Sequence, residues 1–263
     1  MRAYFTVFKM RLRMELQYRG AMIGGILCQM FFGIVLVAVY RALYSSKPQS
    51  IPFESVATYV WLQQAFFRMM LASDSDLLDK IRSGDIAYDM CRPVNMYGFY
   101  YARIMAQKLM GSIMRAVPML VLAALLPKGW GIGLPVSSLG LLAAIPALCL
   151  GLLCVCALEN ITVAFTMRTL DPRGMQGLLN MLMMTLSGNL FPLTLFPDSW
   201  QKFITFLPYA QLLDAPIRLY TGVYAPSEAL GIYALQSFWI VVLVALGNTM
   251  WNANKKRMIV QGG

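Results

Sequence analysis

Five of the twelve acidic residues in this 263-residue chain, Asp74, Asp76, Asp79, Asp85 and Asp89, crowd into one short segment. Carboxylates at such density can ligate a hard divalent cation. Lys80 and Arg82 lie among them, however, and point instead to a solvated or partner-facing surface without a metal. The chain contains no histidine, which excludes imidazole metal sites, histidine general bases and histidine proton relays. There is no G-x-x-x-x-G-K-[ST] phosphate loop, no dinucleotide glycine motif, and no serine or cysteine nucleophile with a histidine base. No catalytic residue is assigned, and hydrolysis of ATP by this chain alone is excluded. The five cysteines, Cys28, Cys91, Cys149, Cys154 and Cys156, are odd in number and four of them sit in apolar runs, so they read as small buried hydrophobes.

A second group of polar residues lies inside those runs. Gln63, Gln64 and Arg68 share one short apolar segment, and Arg115, Glu159 and Asn180 interrupt others. An arginine at the centre of a lipid-exposed helix costs about 2.5 to 3.5 kcal/mol on insertion scales, so Arg68 must face protein or water. Counted from the same membrane face, Arg68 and Glu159 lie at similar depth, which suggests a pair. That pair has two readings: a buried tie between helices, or, together with Gln63 and Asn180, the lining of a transport path. Around Glu159, Cys149, Cys156, Thr162 and Thr166 form a small, mildly polar stripe that fits either.

The elements that must hold these residues follow from composition. Hydrophobic residues make up 59% of the chain and charged residues 13%, against roughly 45 to 50% and 25% in soluble domains. The mean hydropathy of +0.60 is concentrated in runs long enough to cross a hydrocarbon core of about 30 Å. The expected fold is an all-α membrane protein, one domain over residues 1–263, with six spans at about 20–44, 56–73, 104–126, 138–166, 177–196 and 229–251. Residues 1–19 carry Phe5, Phe8, Leu12 and Leu16 as one helical stripe among basic residues, the pattern of an interfacial helix. A cleaved signal peptide is rejected because the apolar stretch from Gly20 to Tyr44 is too long and lacks a small-residue cleavage site.

Net charge is +10, from 22 Lys and Arg against 12 Asp and Glu. With the amino terminus inside, fourteen basic residues fall on the cytoplasmic side and five outside, the remaining three lying within spans. The positive-inside rule then sets both termini in the cytoplasm. The same placement, flanking spans and facing headgroups, argues for contact with membrane lipid and against nucleic acid.

Two connecting segments are unusual. Ser73 to Asn95 is the most charged part of the chain; Leu77, Leu78 and Ile81 form a short helical face, Gly84 can end it, and Arg92-Pro93 breaks the chain. Ile86, Ala87, Tyr88, Met90 and Cys91 are too apolar for a free loop, so this segment is expected to dock a cytoplasmic partner. Between the fifth and sixth spans, Pro192, Pro197, Pro208 and Pro216 forbid one continuous helix. A partly re-entrant chain turning near Gly188 and Asn189, followed by short surface helices with Trp200 and Phe203 at the interface, fits that stretch. In the first span Gly20, Gly24 and Cys28, with Gly25, Gln29 and Gly33 on the next row, permit close helix packing within the chain or across a dimer.

IRSGDIAYDMCRPVN, residues 81–95, resembles a segment that follows the second span in one bacterial branch of the ABC-2 type permeases, the six-span membrane subunits of ABC exporters. SGNLFPLTLFP and LPYAQLLDAPIRLYTG resemble the broken region of that family before its last span, and the resemblance covers nearly the whole chain. It implies an amino-terminal interfacial helix, a cytoplasmic coupling helix after the second span, and re-entrant or short surface helices before the sixth. It also implies a bacterial cytoplasmic-membrane protein that pairs with a second permease, identical or paralogous, and with two separately encoded cytoplasmic ATPase subunits. ATP and Mg would sit on those partners and no cofactor on this chain. Coupling is expected through Asp85, Ile86, Tyr88, Asp89 and Arg92, with Pro93 fixing the turn. The cargo expected is an amphipathic small molecule, peptide or antibiotic. Two other classes remain: an ion-coupled secondary transporter, for which Arg115 and Glu159 would serve, and a membrane-embedded lipid-modifying enzyme, which would need a paired acid and base at one depth.

Overall fold

The computed structural model describes residues 2–46, 51–70, 74–189, 192–193 and 196–255, and every regular element among them is helical. In chain order these are α1 (Arg2–Glu15), α2 (Arg19–Ser46), α3 (Phe53–Met70), α4 (Ser75–Ser83), α5 (Ile86–Met90) and α6 (Met96–Ala124). They continue as α7 (Ser138–Thr169), α8 (Arg173–Leu186), α9 (Asp198–Phe206), α10 (Asp214–Thr221) and α11 (Ala229–Lys255), which a short 3-10 turn at Pro226–Glu228 precedes. Three segments, α2, α7 and Pro226–Lys255, are long and apolar enough to cross a membrane by length and composition.

Local chemistry sets the boundaries. Asp74 caps α4 by accepting from the Leu77 N–H, and Gly84 ends that helix in the left-handed conformation at φ +83°. Asn95 caps α6 through a bond from the Gly98 N–H, so this helix begins at Met96 rather than near residue 104 as the hydropathy suggested. The extra turns carry three tyrosines, Gly98 and Arg103, which dilute the hydropathy of the residues before 104. Ser137 caps α7 through the Leu139 N–H, and Pro146 is accommodated inside it.

The expected fifth span is corrected. Over 177–196 there is no single helix: α8 stops at Leu186 after 14 residues, and Gly188 follows at φ +77°. Fourteen residues reach only about 21 Å, short of a hydrocarbon core of about 30 Å. The amino-terminal helix forms as expected, yet Phe5 and Leu16 at the ends of its apolar stripe are exposed, and the face packed on α6 carries Tyr4, Val7 and the buried Arg11.

The helices pack around two main clusters. The larger joins α3, α4, α5, α6, α7 and α11 through Leu62, Leu77, Ile86, Tyr100, Ile104, Val155 and Trp251. The other joins α2, α3 and α6 around Trp61, whose Nε1 donates to the Trp130 carbonyl at 2.7 Å. Gly33 of α2 lies against the Trp61 ring, where a Cβ would come within 2.6 Å. Of the two small-residue rows on α2, then, the Gly25 and Gly33 row is spent within the chain, while among the described residues nothing lies within 4 Å of a Cβ at Gly20 or Gly24. On α7, Gly140 lets the Leu219 carbonyl of α10 approach, and Gly151 does the same for Leu212 just before it. Along its length α11 is tied to α7 by side-chain donors to backbone carbonyls: Tyr233 to Ala143, Gln236 to Ala147 and Asn254 to Ala164.

Candidate functional site

Two buried polar clusters lie about three turns apart along α3, one past its carboxyl end and one around Tyr59. The first centres on Asp74, whose side chain is 1% exposed. As the cap of α4 it holds Leu77 N–H, and the same carboxylate takes Arg11 of α1 at 3.2 Å and Arg103 of α6 at 3.0 Å. Its backbone N–H donates to Glu159 Oε1 of α7 at 2.9 Å. Four helices therefore converge on one residue. Two arginines on one carboxylate leave a positive excess, part of which Asp76 takes up through Arg11 at 3.0 Å and Arg103 at 3.6 Å.

Glu159 is not paired with Arg68. Its Oε2 lies 2.7 Å from Lys108 Nζ, and both side chains are enclosed, at 7% and 1% exposure. Arg68 instead stands 4.0 Å from Glu15 of α1. Because α6 starts early, Lys108 reaches the level of Glu159 and takes the place that similar depth had assigned to Arg68.

Above this hub α4 and α5 form a small platform. The sequence grouped Asp85, Ile86, Tyr88, Asp89, Arg92 and Pro93 together, and the structure divides them. Ile86 is fully buried in the main cluster. Asp89 is also inside, accepting from Tyr100 at 2.9 Å and pairing with Lys80 and Arg92 at 3.2 Å each. Tyr88 projects outward at 79% exposure, and Asp79, Arg82, Asp85, Arg92 and Pro93 are exposed around it. Buried Ile86 and Asp89 are thus positioning residues for an outward Tyr88. Alternation of buried and exposed positions on a five-residue helix is too short a signal to read from sequence.

The second cluster links α3, α8 and α10. Tyr59 donates to Asp214 Oδ1 at 2.6 Å and lies 3.4 Å from the Gly188 carbonyl. Gln63 donates to the Tyr59 hydroxyl at 3.1 Å and to the Ser187 carbonyl at 3.0 Å. Asp214 pairs with Arg218 at 2.7 Å, both side chains almost wholly enclosed. Burial raises the Asp214 carboxyl against the opposing pull of Arg218 and Tyr59. Burial also works against the charge of Arg218, which Asp214 nevertheless raises above its ordinary value. With a guanidinium beside one oxygen of the carboxylate and a hydroxyl donating to the other, the ion pair is the form these contacts favour.

Of the other expected site residues, Asn189 and Pro192 are buried beside Gln63 and Tyr59, Asn180 is half-buried on α8, and Pro197 is exposed before α9. Gln63 therefore meets the turn at Gly188, whereas Arg68 and Glu159 belong to the other cluster. Sequence reasoning missed Asp74, Arg11, Arg103, Lys108, Tyr59 and the Asp214–Arg218 pair. Only the last carried a local signal, an acid four residues before a base on a short helix.

No curated protein matches the chain. A family model described as "ABC-2 family transporter protein" matches residues 25–262, which take in the Tyr59 cluster, the α4–α5 platform and the Asp74 cluster apart from Arg11 and Glu15 of α1. The chain belongs to the ABC-2 transporter family.

Proposed function

We propose that the chain is the permease subunit of an ATP-driven exporter of a bacterial cytoplasmic membrane. It pairs with a second permease, identical or paralogous, and with two cytoplasmic ATPase subunits that bind ATP and Mg. Membership of the family supports partnership with ABC ATPases in general. The observation that carries the finer reading is the α4–α5 platform, which presents Tyr88 to solvent while Asp74, Ile86 and Asp89 fasten it to α1, α6 and α7. A docking element has to combine an exposed contact face with a stiff connection to the helices it moves.

In this reading α2, α3, α6, α7 and α11 cross the membrane as single helices, while α8 carries the chain only part of the way and the chain from Gly188 onward completes that crossing. α1 lies on the inner surface, α9 and α10 lie toward the outside, and both termini are cytoplasmic, as the fourteen-to-five basic bias favours. Closure of the ATPase pair pushes on Tyr88 and its neighbours. The push passes to α6 through Tyr100 and Arg103 and to α7 through Glu159. The cleft between permeases then exchanges inward for outward opening, and cargo moves because the two states bind it unequally. Arg68 and Glu159 serve as ties beneath the platform; Gln63, Asn180 and the turn at Gly188 are the residues nearer a path. Mostly apolar helix faces suit an amphipathic small molecule, peptide or antibiotic.

Gentle extraction of the tagged chain, with mass spectrometry of what stays bound, tests the assignment. A stoichiometric ATPase carrying a phosphate-loop motif is expected, and Tyr88→Ala should release it. Reproducible recovery of the chain alone in several detergents would overturn the reading.

A further inference from the structure

A cavity of about 260 Å3 opens between α1, α2, α3 and α6, away from the Tyr59 cluster and below the platform. Three arginines from three helices line it: Arg11, Arg68 and Arg115. Two carboxylates, Glu15 and Asp76, are the acidic residues of that lining, so its formal charge is positive. Both are partly committed: Asp76 also serves Arg103 at 3.6 Å, and Glu15 reaches Arg11 and Arg68 only at 3.6 and 4.0 Å. Arg11 Nε is buried and has no hydrogen-bond partner among the described residues. The Arg115 guanidinium lies against α2, where a Cβ at Gly25 would meet its Cζ at 2.5 Å, and one of its nitrogens reaches the Ala21 carbonyl at 3.3 Å.

We infer that this cavity binds a phosphate headgroup of an anionic phospholipid. Guanidinium N–H groups match phosphate oxygens in pairs, and a positive cavity beside spans is the chemistry that retains such headgroups. Its level fits. Tyr18 and Arg19 mark the polar start of α2, and Ala21 and Met22 of the lining are the next residues into the apolar helix. From that mouth Ile23, Leu27 and Phe31, all exposed and four residues apart, form an apolar stripe along α2 on which an acyl chain can lie. The stripe favours a lipid over free phosphate as the source. The cavity uses no residue of the outward platform face, so the inference does not depend on ATPase docking.

Native mass spectrometry and thermal unfolding of the purified full-length chain decide it, with phosphatidylglycerol, phosphatidylcholine or millimolar inorganic phosphate as the probe. Phosphatidylglycerol should be retained over phosphatidylcholine and should raise the unfolding temperature. Arg115→Gln should lower that retention about fivefold, the effect of one cation near an anionic headgroup, and Arg115→Lys should lower it less. Protection by inorganic phosphate equal to that by the lipid supports a phosphate site but assigns it to the free ion. Equal retention of the two lipids, or undiminished retention in Arg115→Gln, overturns the proposal. If Arg115→Gln does not fold, Ala21→Leu obstructs the mouth without removing a charge, and wild-type retention in that variant overturns it equally.

Discussion

Lys108 Nζ sits 2.7 Å from Glu159 Oε2, while the other oxygen of that carboxylate accepts the N–H of Asp74. One buried ion pair thus joins α6 to α7 and also anchors the start of α4. Removing a single member leaves an uncompensated enclosed charge, which costs about 3 to 5 kcal/mol. Lys108→Met should lower stability by that amount in denaturant unfolding of the detergent-solubilised chain. Adding Glu159→Gln should return at least about 1 kcal/mol, since contacting pairs couple by roughly 0.5 to 3 kcal/mol. The same cycle run between Arg68 and Glu159 should be additive to within about 0.5 kcal/mol. Strong coupling there would restore the partner that depth alone suggested.

The residues of this pair show what a sequence does and does not carry. Arg68 and Glu159 were recognisable as needing protein around them, because the cost of a lipid-facing charge depends only on residue type and local hydropathy. Which charge meets which depends on where α6 starts, and Met96 to Arg103, with three tyrosines, a glycine and an arginine, fall outside the apolar run that marks the span. Asp74 could be recognised as acidic and near a helix start, but not as the meeting point of Arg11 and Arg103, 63 and 29 residues away. The turn after α8 was legible from Gly188 and the prolines, since backbone restrictions are local. Its partners, Tyr59 and Asp214, are 129 and 26 residues away, and nothing local ties either of them to Gly188.

Asp74 has two separable roles, as cap of α4 and as counter-charge to two arginines. Asp74→Asn preserves a good capping side chain and removes the charge. It should leave α4 helical but loosen it from α1 and α6, seen as faster amide exchange in α1 and the start of α6. Asp74→Ala removes the cap as well and should cost about 1 kcal/mol more. If both variants exchange alike throughout α4, the capping role is wrong.

Tyr88 and Ile86 stand two residues apart and face opposite ways. Tyr88→Ala deletes an exposed ring and should change unfolding by less than about 0.5 kcal/mol, while abolishing ATP-driven transport by the assembled complex. Ile86→Ala opens a void in the main cluster and should cost about 2 to 5 kcal/mol. A destabilised Tyr88→Ala, or a Tyr88→Ala complex that transports normally, would remove Tyr88 from the proposed contact face.

At Gly188 conformation and contact both require glycine. Its φ of +77° strains any residue with a Cβ, and the space a Cβ would occupy is taken by the Tyr59 hydroxyl, with Asp214 Oδ1 at 3.2 Å. Gly188→Ala therefore carries a backbone penalty of about 1 kcal/mol together with a clash. Tyr59→Phe removes the clashing oxygen but also the donor to Asp214, leaving that buried carboxylate with Arg218 alone. Each single variant should destabilise the link between α3 and α8, and the double variant should fall short of their sum, because the phenyl ring vacates the space the new methyl needs. Unfolding of the four proteins of this cycle, with transport measured in parallel, tests it. A double variant as unstable as the sum would mean that backbone strain alone governs Gly188, and that the Tyr59 hydroxyl can move aside without cost.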